Sequence, residues 1–169
     1  MAGSGWDSGS GSGSASVQRV REALAAKGLA CQVQELAAST RTAQEAAAAV
    51  GCGVAQIVKS LVFRAASSDR LVLALVSGTN RVSEAKLAAR LGEPVKRADA
   101  AFVRERTGFA IGGVPPLGHA SPAVVLVDQD LLAFEVVWAA AGSPHAVFQV
   151  APRDLVAAAG GEVVDLAEP

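Results

Sequence analysis

The sequence predicts one α+β domain with a largely antiparallel sheet, and three observations support this prediction. Segments with clear helix caps are mixed irregularly with short segments rich in Val and Leu. Two of these apolar segments, 57–65 and 70–77, are joined by a polar Ser-Ser-Asp turn, which is typical of a hairpin. Hydrophobic residues make up 51% of the 169 positions. A chain of this length buries roughly 68–70% of its unfolded surface, so a packed core is expected.

The first 15 residues, MAGSGWDSGSGSGSA, are low in complexity and rich in Gly and Ser. Such a segment has too few apolar side chains to fold by itself, so we expect a flexible tail over residues 1–15. Trp6 is the one oddity in this tail, and we interpret it as incidental rather than as a docking anchor. The single domain is therefore expected to span residues 16–169.

Helices are predicted from polar caps and terminal glycines. Ser16 is the expected N-cap of the first helix, whose apolar stripe of Val17, Val20 and Leu24 precedes Gly28. The second helix is expected between Thr42, which forms a capping box with Glu45, and Gly51. Two more helices are expected between Ser83 and Gly92 and between Asp99 and Gly108. The last helix is expected to begin with Pro152 at its first position and to end at Gly160.

The remaining apolar segments predict short strands. Their expected ranges are 31–36, 57–65, 70–77, 123–128, 133–138, 145–150 and 162–166. Residues 108–122 are different, because four glycines and three prolines in this stretch exclude a regular helix or strand.

The charge is distributed unevenly, although the formal net charge is only −1. Seven basic and four acidic side chains lie between Arg81 and Arg106, whereas one basic and seven acidic side chains follow Arg106. A basic middle and an acidic end can orient a polyanion. Two solvated helix faces would give the same pattern, and charge alone favours that second interpretation.

The sequence contains no apolar run near the roughly 20 residues that cross a bilayer, and no signal peptide is recognisable. Cys31 and Cys52 have neither metal-ligand spacing nor the pattern of a disulfide framework, so we expect free thiols in a reducing cytoplasm. No membrane partner, metal or other cofactor is expected.

Lys59 does not fit a purely structural pattern. Alternate residues of a strand share a face, so Lys59 should lie with the bulky apolar residues Ile57, Leu61 and Phe63. A lysine on such a row needs an anion, a carbonyl oxygen or a route to water, because an unpaired buried charge is costly. A snorkelling side chain at the strand end would be the structural alternative.

The glycine- and proline-rich loop is the second candidate feature. Gly112 and Gly113 lack side chains, so their backbone N–H groups can approach a ligand closely. Pro115 and Pro116 stiffen the part that follows. Long loops without regular structure are uncommon inside compact domains unless they are functional, which favours a binding role over an ordinary connection.

His119 and His145 are the only histidines, and either can titrate near neutral pH. A lone histidine is more often structural than catalytic. The sequence has no Ser-His-Asp order, nucleophile elbow, P-loop or zinc spacing. Neither a metal site nor a covalent nucleophile is therefore indicated.

Four segments taken together resemble the YbaK family, whose relatives include the editing domain of many bacterial prolyl-tRNA synthetases. The segments are IVKSLVF (57–63), SGTNRVSEAKLAARLG (77–92), TGFAIGGVPPLGH (107–119) and AGSPHAVFQVAPRDL (141–155). The Lys-Ser-Leu strand followed by the Gly-x-x-x-Pro loop is fairly specific as a pair. The resemblance extends over about residues 16–167.

The resemblance implies a compact mixed domain with a curved, barrel-like sheet and surrounding helices. It also implies metal-free hydrolysis of the ester between a wrong amino acid and the terminal adenosine of tRNA, commonly tRNA for proline. The expected partners are the acceptor end of mischarged tRNA and prolyl-tRNA synthetase. Candidate amino acids are Ala, Cys and Ser, and the departure of the sequence around residues 143–145 leaves the choice among them open.

The family motifs map onto individual residues of this chain. The expected catalytic residues are Lys59, Gly112, Gly113 and, less securely, His145. The expected substrate-binding residues are Asn80, Arg81, Phe109, Pro115, Pro116 and Gly142. Two other interpretations remain open, namely a module that binds tRNA or a synthetase without hydrolysis, and a small-molecule hydrolase or nucleotide-binding protein that uses the same pocket.

Overall fold

The computed structural model describes residues 15–169, so the predicted tail, including Trp6, lies outside the described residues apart from residue 15. The first described helix, α1 (15–26), already includes residue 15. Ser16 therefore lies inside α1, and its prediction as the N-cap was wrong, since alanine at position 15 is a good helix former. Val17, Val20 and Leu24 are buried in the core, as their stripe predicts.

Eight strands form one mixed sheet. Their bounds are β1 (Val33–Glu35), β2 (Ile57–Ala65), β3 (Leu71–Ser77), β4 (Val95–Arg97), β5 (Val124–Asp128), β6 (Val137–Ala140), β7 (Ala146–Val150) and β8 (Glu162–Val164). The spatial order is β1-β7-β6-β2-β3-β5-β8, with β4 paired to β2 off this path. Four of the seven strand pairings are antiparallel, and the predicted α+β class with a mixed, largely antiparallel sheet is confirmed.

Four further helices follow the predicted caps. Their bounds are α2 (Ala43–Val50), α3 (Glu84–Leu91), α4 (Ala100–Thr107) and α5 (Pro152–Ala159). Thr42 and Glu45 form the predicted capping box, and the side chains of Ser83 and Asp99 each accept a backbone hydrogen bond at a helix N-terminus. Each of these helices ends at a glycine in the left-handed conformation.

The structure differs from the predicted strands at two places. The segment expected as a strand over 133–138 becomes a strand only at Val137, because residues 129–133 form a 3₁₀ helix. The Asp128 side chain caps this helix by accepting a hydrogen bond from the Asp130 N–H. Strand β4 was not predicted, since three residues carry little periodicity.

Strand β2 separates two apolar clusters. Val58 and Val62 contact the main core, which also contains residues of α1, α4, β6 and β7. Leu61 and Phe63, on the opposite face, pack in a second cluster with residues of β3 and α3. The period-2 pattern therefore places Lys59 on the face of Leu61 and Phe63, as predicted.

One edge of β2 is incompletely paired, and this gap positions the candidate site. Strand β3 pairs along β2 from Val58 to Arg64. On the other edge, β6 pairs only with residues 57–58, and β4 pairs only with residues 63–65. The middle of β2 is left without a strand neighbour on that edge, and residues of the loop at 108–122 lie beside it.

A substitution at Gly142 measures how tightly the turn between β6 and β7 packs against α1. Its φ is +102°, and a Cβ atom there would lie 2.7 Å from the Ser16 carbonyl oxygen. We expect Gly142→Ala to lower the free energy of unfolding by more than Gly160→Ala does. Gly160 also has a positive φ, +64°, but nothing lies within 4 Å of its added Cβ, so the control should cost only the left-handed strain of about 1–2 kcal/mol. Urea unfolding measures both variants, and equal losses would contradict the tight contact with α1.

Candidate functional site

Two adjoining clefts lie at the open edge of β2. The first, the edge cleft, has a volume of about 430 Å³ and lies among β2, β6, α2 and the loop at 108–122. The second, the basic cleft, has a volume of about 750 Å³ and lies among β2, the turn after β3, the start of α3 and Arg97 of β4. Lys59, Leu61 and Gly78 line both clefts, so the two spaces meet at Lys59.

The edge cleft has an apolar wall and a polar rim. Ala46 and Ile57 are buried, and Trp138 packs against them to complete the apolar wall. Thr40 and Arg41, which precede α2, line the polar rim. The Thr40 hydroxyl donates a hydrogen bond of 2.7 Å to the Pro144 carbonyl, which fixes the rim to the turn between β6 and β7. The cleft can therefore hold a small ligand that has an apolar part and a polar part.

The Lys59 ammonium is half-buried and donates a hydrogen bond to the Asn80 carbonyl oxygen. An ammonium group has three N–H donors, so this bond leaves two donors for a ligand in either cleft. Burial lowers the pKa of Lys59 from its ordinary value, the charges of Arg81 and Arg97 lower it further, and the Asp128 carboxylate opposes the shift. The cation is thus held at the junction of the clefts by a carbonyl rather than by a direct ion pair.

Asn80 acts through its backbone, while its side chain is fixed by two carboxylates. Its Nδ2 group donates hydrogen bonds of 2.8 Å to both Asp128 and Asp130. Asp128 is buried and also accepts a hydrogen bond of 3.1 Å from the Ser77 N–H. The predicted binding residue Asn80 therefore positions Lys59. Arg81 is exposed in the basic cleft, where its side chain makes no hydrogen bond within residues 15–169.

The two loop glycines have different environments. Gly112 lines the edge cleft with a φ of +97°, and an added Cβ atom would lie 3.3 Å from the Arg41 Cγ atom. Its N–H group has no protein acceptor within the described part of the chain. The Gly113 N–H, in contrast, donates to the Ala110 carbonyl, and the Gly113 carbonyl accepts from Gly142. Of the two glycine amides, the Gly112 N–H is therefore the one without a protein acceptor, and a catalytic role for Gly113 stays a prediction.

Four expected substrate-binding residues are buried around the loop and line neither the edge cleft nor the basic cleft. Phe109 is 1% exposed, with the Arg19 guanidinium 4.4 Å from its ring centroid. Pro115 and Pro116 are buried, and His119 Nε2 lies 2.7 Å from the Pro115 carbonyl oxygen. Gly142 packs against the first turn of α1. These residues hold the loop in place, and their expected direct contact with substrate stays a prediction that this geometry does not support.

Neither histidine lines the edge cleft or the basic cleft. His145 is exposed, and its Nδ1 atom lies 3.2 Å from the Ala38 carbonyl oxygen, so a catalytic role for His145 receives no support from this geometry. Burial lowers the pKa of His119 from its ordinary value, and the nearby charge of Arg19 lowers it further, while the bond to Pro115 opposes the shift. His119 is therefore neutral at physiological pH.

Residues that the sequence did not single out also line the edge cleft. Arg41 lies over Gly112, and Trp138 contributes the largest apolar side chain. Ser60 carries the one buried side-chain hydroxyl that has no hydrogen-bond partner within residues 15–169. Ser60 could have been recognised in the sequence, since it is a polar residue on the strand face of Val58 and Val62. Arg41 and Trp138 could not have been recognised in this way, because only the folded chain brings them to β2.

Taken together, the clefts offer a cation at Lys59, a backbone N–H at Gly112 without a protein acceptor among residues 15–169, and an apolar wall. Such groups can hold an anion and polarise a carbonyl group without a covalent step. Within residues 15–169, no three His, Cys, Asp or Glu side chains converge as metal ligands. No helix in this part of the chain is both long enough and apolar enough to cross a membrane.

Comparisons with known proteins identify the family. The model of the aminoacyl-tRNA editing domain matches residues 37–158. YwhH of Bacillus subtilis (strain 168) is 32% identical over 123 residues, which are 73% of this chain and 78% of that protein. The proline–tRNA ligase of Thermoanaerobacter sp. (strain X514) is 32% identical over 96 residues, which are 55% of this chain and 16% of the ligase.

The comparison with solved structures agrees. The crystal structure of a candidate trans-editing enzyme for prolyl-tRNA synthetase superimposes with a TM-score of 0.86 at 50% identity, covering 91% of this chain and 98% of that one. The resemblance that the Lys-Ser-Leu strand and the Gly-x-x-x-Pro loop indicated is thereby confirmed. The chain belongs to the aminoacyl-tRNA editing domain family.

Proposed function

We propose that this protein hydrolyses the ester between a small, wrongly attached amino acid and the terminal adenosine of tRNA, with tRNA for proline as the main substrate. One observation carries the proposal. A small edge cleft with a free amide opens at Lys59 into a basic cleft, so an aminoacyl group and a nucleic-acid anion can be held side by side. Family membership supports the same reaction class.

The proposed chemistry needs few groups, because an aminoacyl ester is already activated. A water molecule attacks the carbonyl carbon, the bond from that carbon to the ribose oxygen breaks, and the ribose oxygen takes up a proton. Gly112 supplies an N–H for the developing oxyanion, and Lys59 holds the ribose–phosphate end as a compact positive charge.

The dimensions of the edge cleft support a small amino acid. Its volume of about 430 Å³ is shared between the aminoacyl group and part of the terminal nucleoside. Trp138 and the backbone at Gly112 line the cleft, and we propose that they restrict the space that the terminal nucleoside leaves for the amino-acid side chain. Discrimination between side chains that differ by one methylene is only about 1–3 kcal/mol, so neighbouring small residues should cross-react.

The partner proposed is prolyl-tRNA synthetase, whose errors the reaction corrects. A related segment occurs within the proline–tRNA ligase chain of Thermoanaerobacter, and the similar solved structure is described as acting in trans for that synthetase. We include in the proposal that residues 16–169 form the single domain that carries the activity.

A binding module without hydrolysis is the second candidate, and one observation favours it. Lys59 already has a protein acceptor, and no His, Asp or Glu lines the edge cleft, so no side chain there is an evident general base. Such a module would hold aminoacyl-tRNA and protect the ester from water. Measured deacylation separates the two candidates, since the module slows ester loss below the rate in buffer.

A panel of mischarged tRNAs tests the proposed reaction. We expect release of Ala, Cys or Ser from tRNA for proline at micromolar enzyme, with prolyl-tRNA largely spared. Radiolabelled amino acid released over time is the measurement, and the spontaneous rate in buffer is the control. No release above that rate for any amino acid would refute the editing function.

Lys59 is expected to contribute through its charge. Lys59→Ala should lower single-turnover deacylation at least tenfold, about 1.4 kcal/mol at the transition state, while circular dichroism stays unchanged. The exposed Lys27→Ala is the matched control and should retain the wild-type rate. A loss of activity that only follows a loss of folded protein would show that Lys59 is structural.

The lowered pKa of Lys59 gives this prediction a pH dependence. The ammonium loses its proton at a lower pH than a free lysine, so affinity for the acceptor end should fall as the pH rises toward that pKa. The Lys59→Arg variant keeps its positive charge, so its affinity for the acceptor end should stay constant up to about pH 10. Binding of a non-hydrolysable 3′-aminoacylamide tRNA measures the effect, and parallel profiles for both proteins would contradict it.

Gly112 tests the role of the loop amide. Gly112→Ala places a methyl group beside Arg41 at the cleft wall and should lower the deacylation rate about tenfold. Gly28→Ala introduces a side chain at a similar positive φ with nothing within 4 Å, so it controls for backbone strain alone. Equal rates for the two variants would remove Gly112 from the site.

A further inference from the structure

We propose that the basic cleft is a subsite for the phosphodiester on the 5′ side of the terminal nucleotide of the substrate, and that Arg81 and Arg97 bind this group together with Lys59. The inference rests on the proposed function and adds two residues to it. Arg97 was not among the residues that the sequence indicated, and Arg81 was expected only to contact substrate in general.

The basic cleft carries an excess of positive charge. Lys59, Arg81 and Arg97 line it, opposed by Glu84 and Glu168. The charges of Arg81 and Arg97 both act on the Lys59 ammonium and make its protonation less favourable, so the three cations lie close together. Cations that repel each other inside one cleft are stabilised by an anion placed among them.

Most other basic residues of the 81–106 segment are already paired within the protein. Lys86 pairs with Asp165 at 2.9 Å, and Arg90 forms a bidentate contact with Glu162. Arg106 and Arg64 pair with Asp69. The uneven charge of the sequence is therefore largely balanced by ion pairs on the protein surface.

Arg81 and Arg97 differ from this paired set. The Arg81 side chain forms no ion pair within residues 15–169. Arg97 approaches Glu84 only at 3.9 Å, and its side chain remains 64% exposed. The Arg97 guanidinium lies 5.3 Å from the Phe63 ring centroid, and this contact orients the group without using its N–H donors. Both guanidinium groups are thus free to bind an anion.

A phosphodiester fits this cleft better than a long polyanion does. Guanidinium groups bind phosphate oxygens with paired N–H donors, which suits one tetrahedral anion between Arg81 and Arg97. Glu84 and Glu168 bound the same cleft and repel further negative charge. The cleft joins the edge cleft at Lys59, so an anion here lies next to the nucleoside whose ester is in the edge cleft.

The experiment compares two minimal substrates, of which only the second carries a cytidylyl phosphodiester on the 5′ side of the adenosine. One is adenosine esterified with the amino acid that the wild type releases fastest, and the other is the same ester on cytidylyl-(3′→5′)-adenosine. The proteins are the full-length wild type, Arg81→Gln, Arg97→Gln and the double variant. The exposed Arg153→Gln, on α5, is the matched control.

We expect the double variant to lose about tenfold or more in kcat/KM on the dinucleotide ester, mainly through KM, and to stay within about twofold of wild type on the adenosine ester. The loss should shrink at high salt, because each phosphate contact contributes close to one unit to the salt dependence. Arg153→Gln should match wild type on both esters. Since Arg97 contacts Phe63, the Tm of each variant is recorded, and Arg81→Gln provides a test that does not disturb this contact.

Two results overturn the subsite. One is an equal loss on both esters, and the other is an unchanged rate on the dinucleotide ester. A loss seen only in the presence of prolyl-tRNA synthetase would also overturn it, because the arginines would then bind an acidic surface of that partner. If the wild type hydrolyses neither ester nor any aminoacyl-tRNA, the proposed function itself fails, and this outcome is distinct from the others.

Discussion

The candidate site depends on how the protein accommodates one positive charge on an apolar row of β2. The Lys59 ammonium is held by the Asn80 carbonyl, and Asn80 is fixed in turn by Asp128 and Asp130. Because Asp128 is buried and accepts a hydrogen bond from the Ser77 N–H at the end of β3, the position of the ammonium is tied to the central strands. The cation therefore stays at the junction of the two clefts without a ligand to hold it there.

The loop beside β2 is held by a different set of contacts, and these explain its glycines and prolines. Gly113 joins the loop to Gly142, and Gly142 packs against α1. His119 binds the carbonyl of Pro115, and the ring of Phe109 lies in the core. These contacts leave Gly112 in the wall of the edge cleft with a backbone N–H that has no protein acceptor among the described residues. Most of the motif thus fixes one backbone N–H beside the open edge of the sheet.

Signals from neighbouring residues in the sequence were sufficient to predict most of the fold and part of the candidate site. The caps of α2, α3 and α4 and the β2–β3 hairpin were predictable, because each depends on neighbouring residues. The face of Lys59 followed from the strand period. Its partner, the Asn80 carbonyl, could not be predicted, since backbone acceptors have no residue signature. The burial of Phe109 and the proximity of Arg97 to Lys59 also depend on tertiary packing, in which β4 adds to β2 beyond the gap.

The distribution of titratable groups constrains how a proton could move in the proposed reaction. His145 is exposed outside both clefts, and His119 is neutral with one ring nitrogen bound to a carbonyl. Lys59 carries its positive charge, and can give up a proton, only while it is protonated. The protein groups that face the edge cleft are therefore suited to stabilise charge rather than to accept a proton. Under the proposed function, proton transfer falls to water and to the vicinal ribose hydroxyl of the substrate, which lies next to the ester in every aminoacyl-tRNA. The rate would then depend on how firmly Lys59 and Gly112 fix that ribose and carbonyl, which makes positioning the main contribution of the protein.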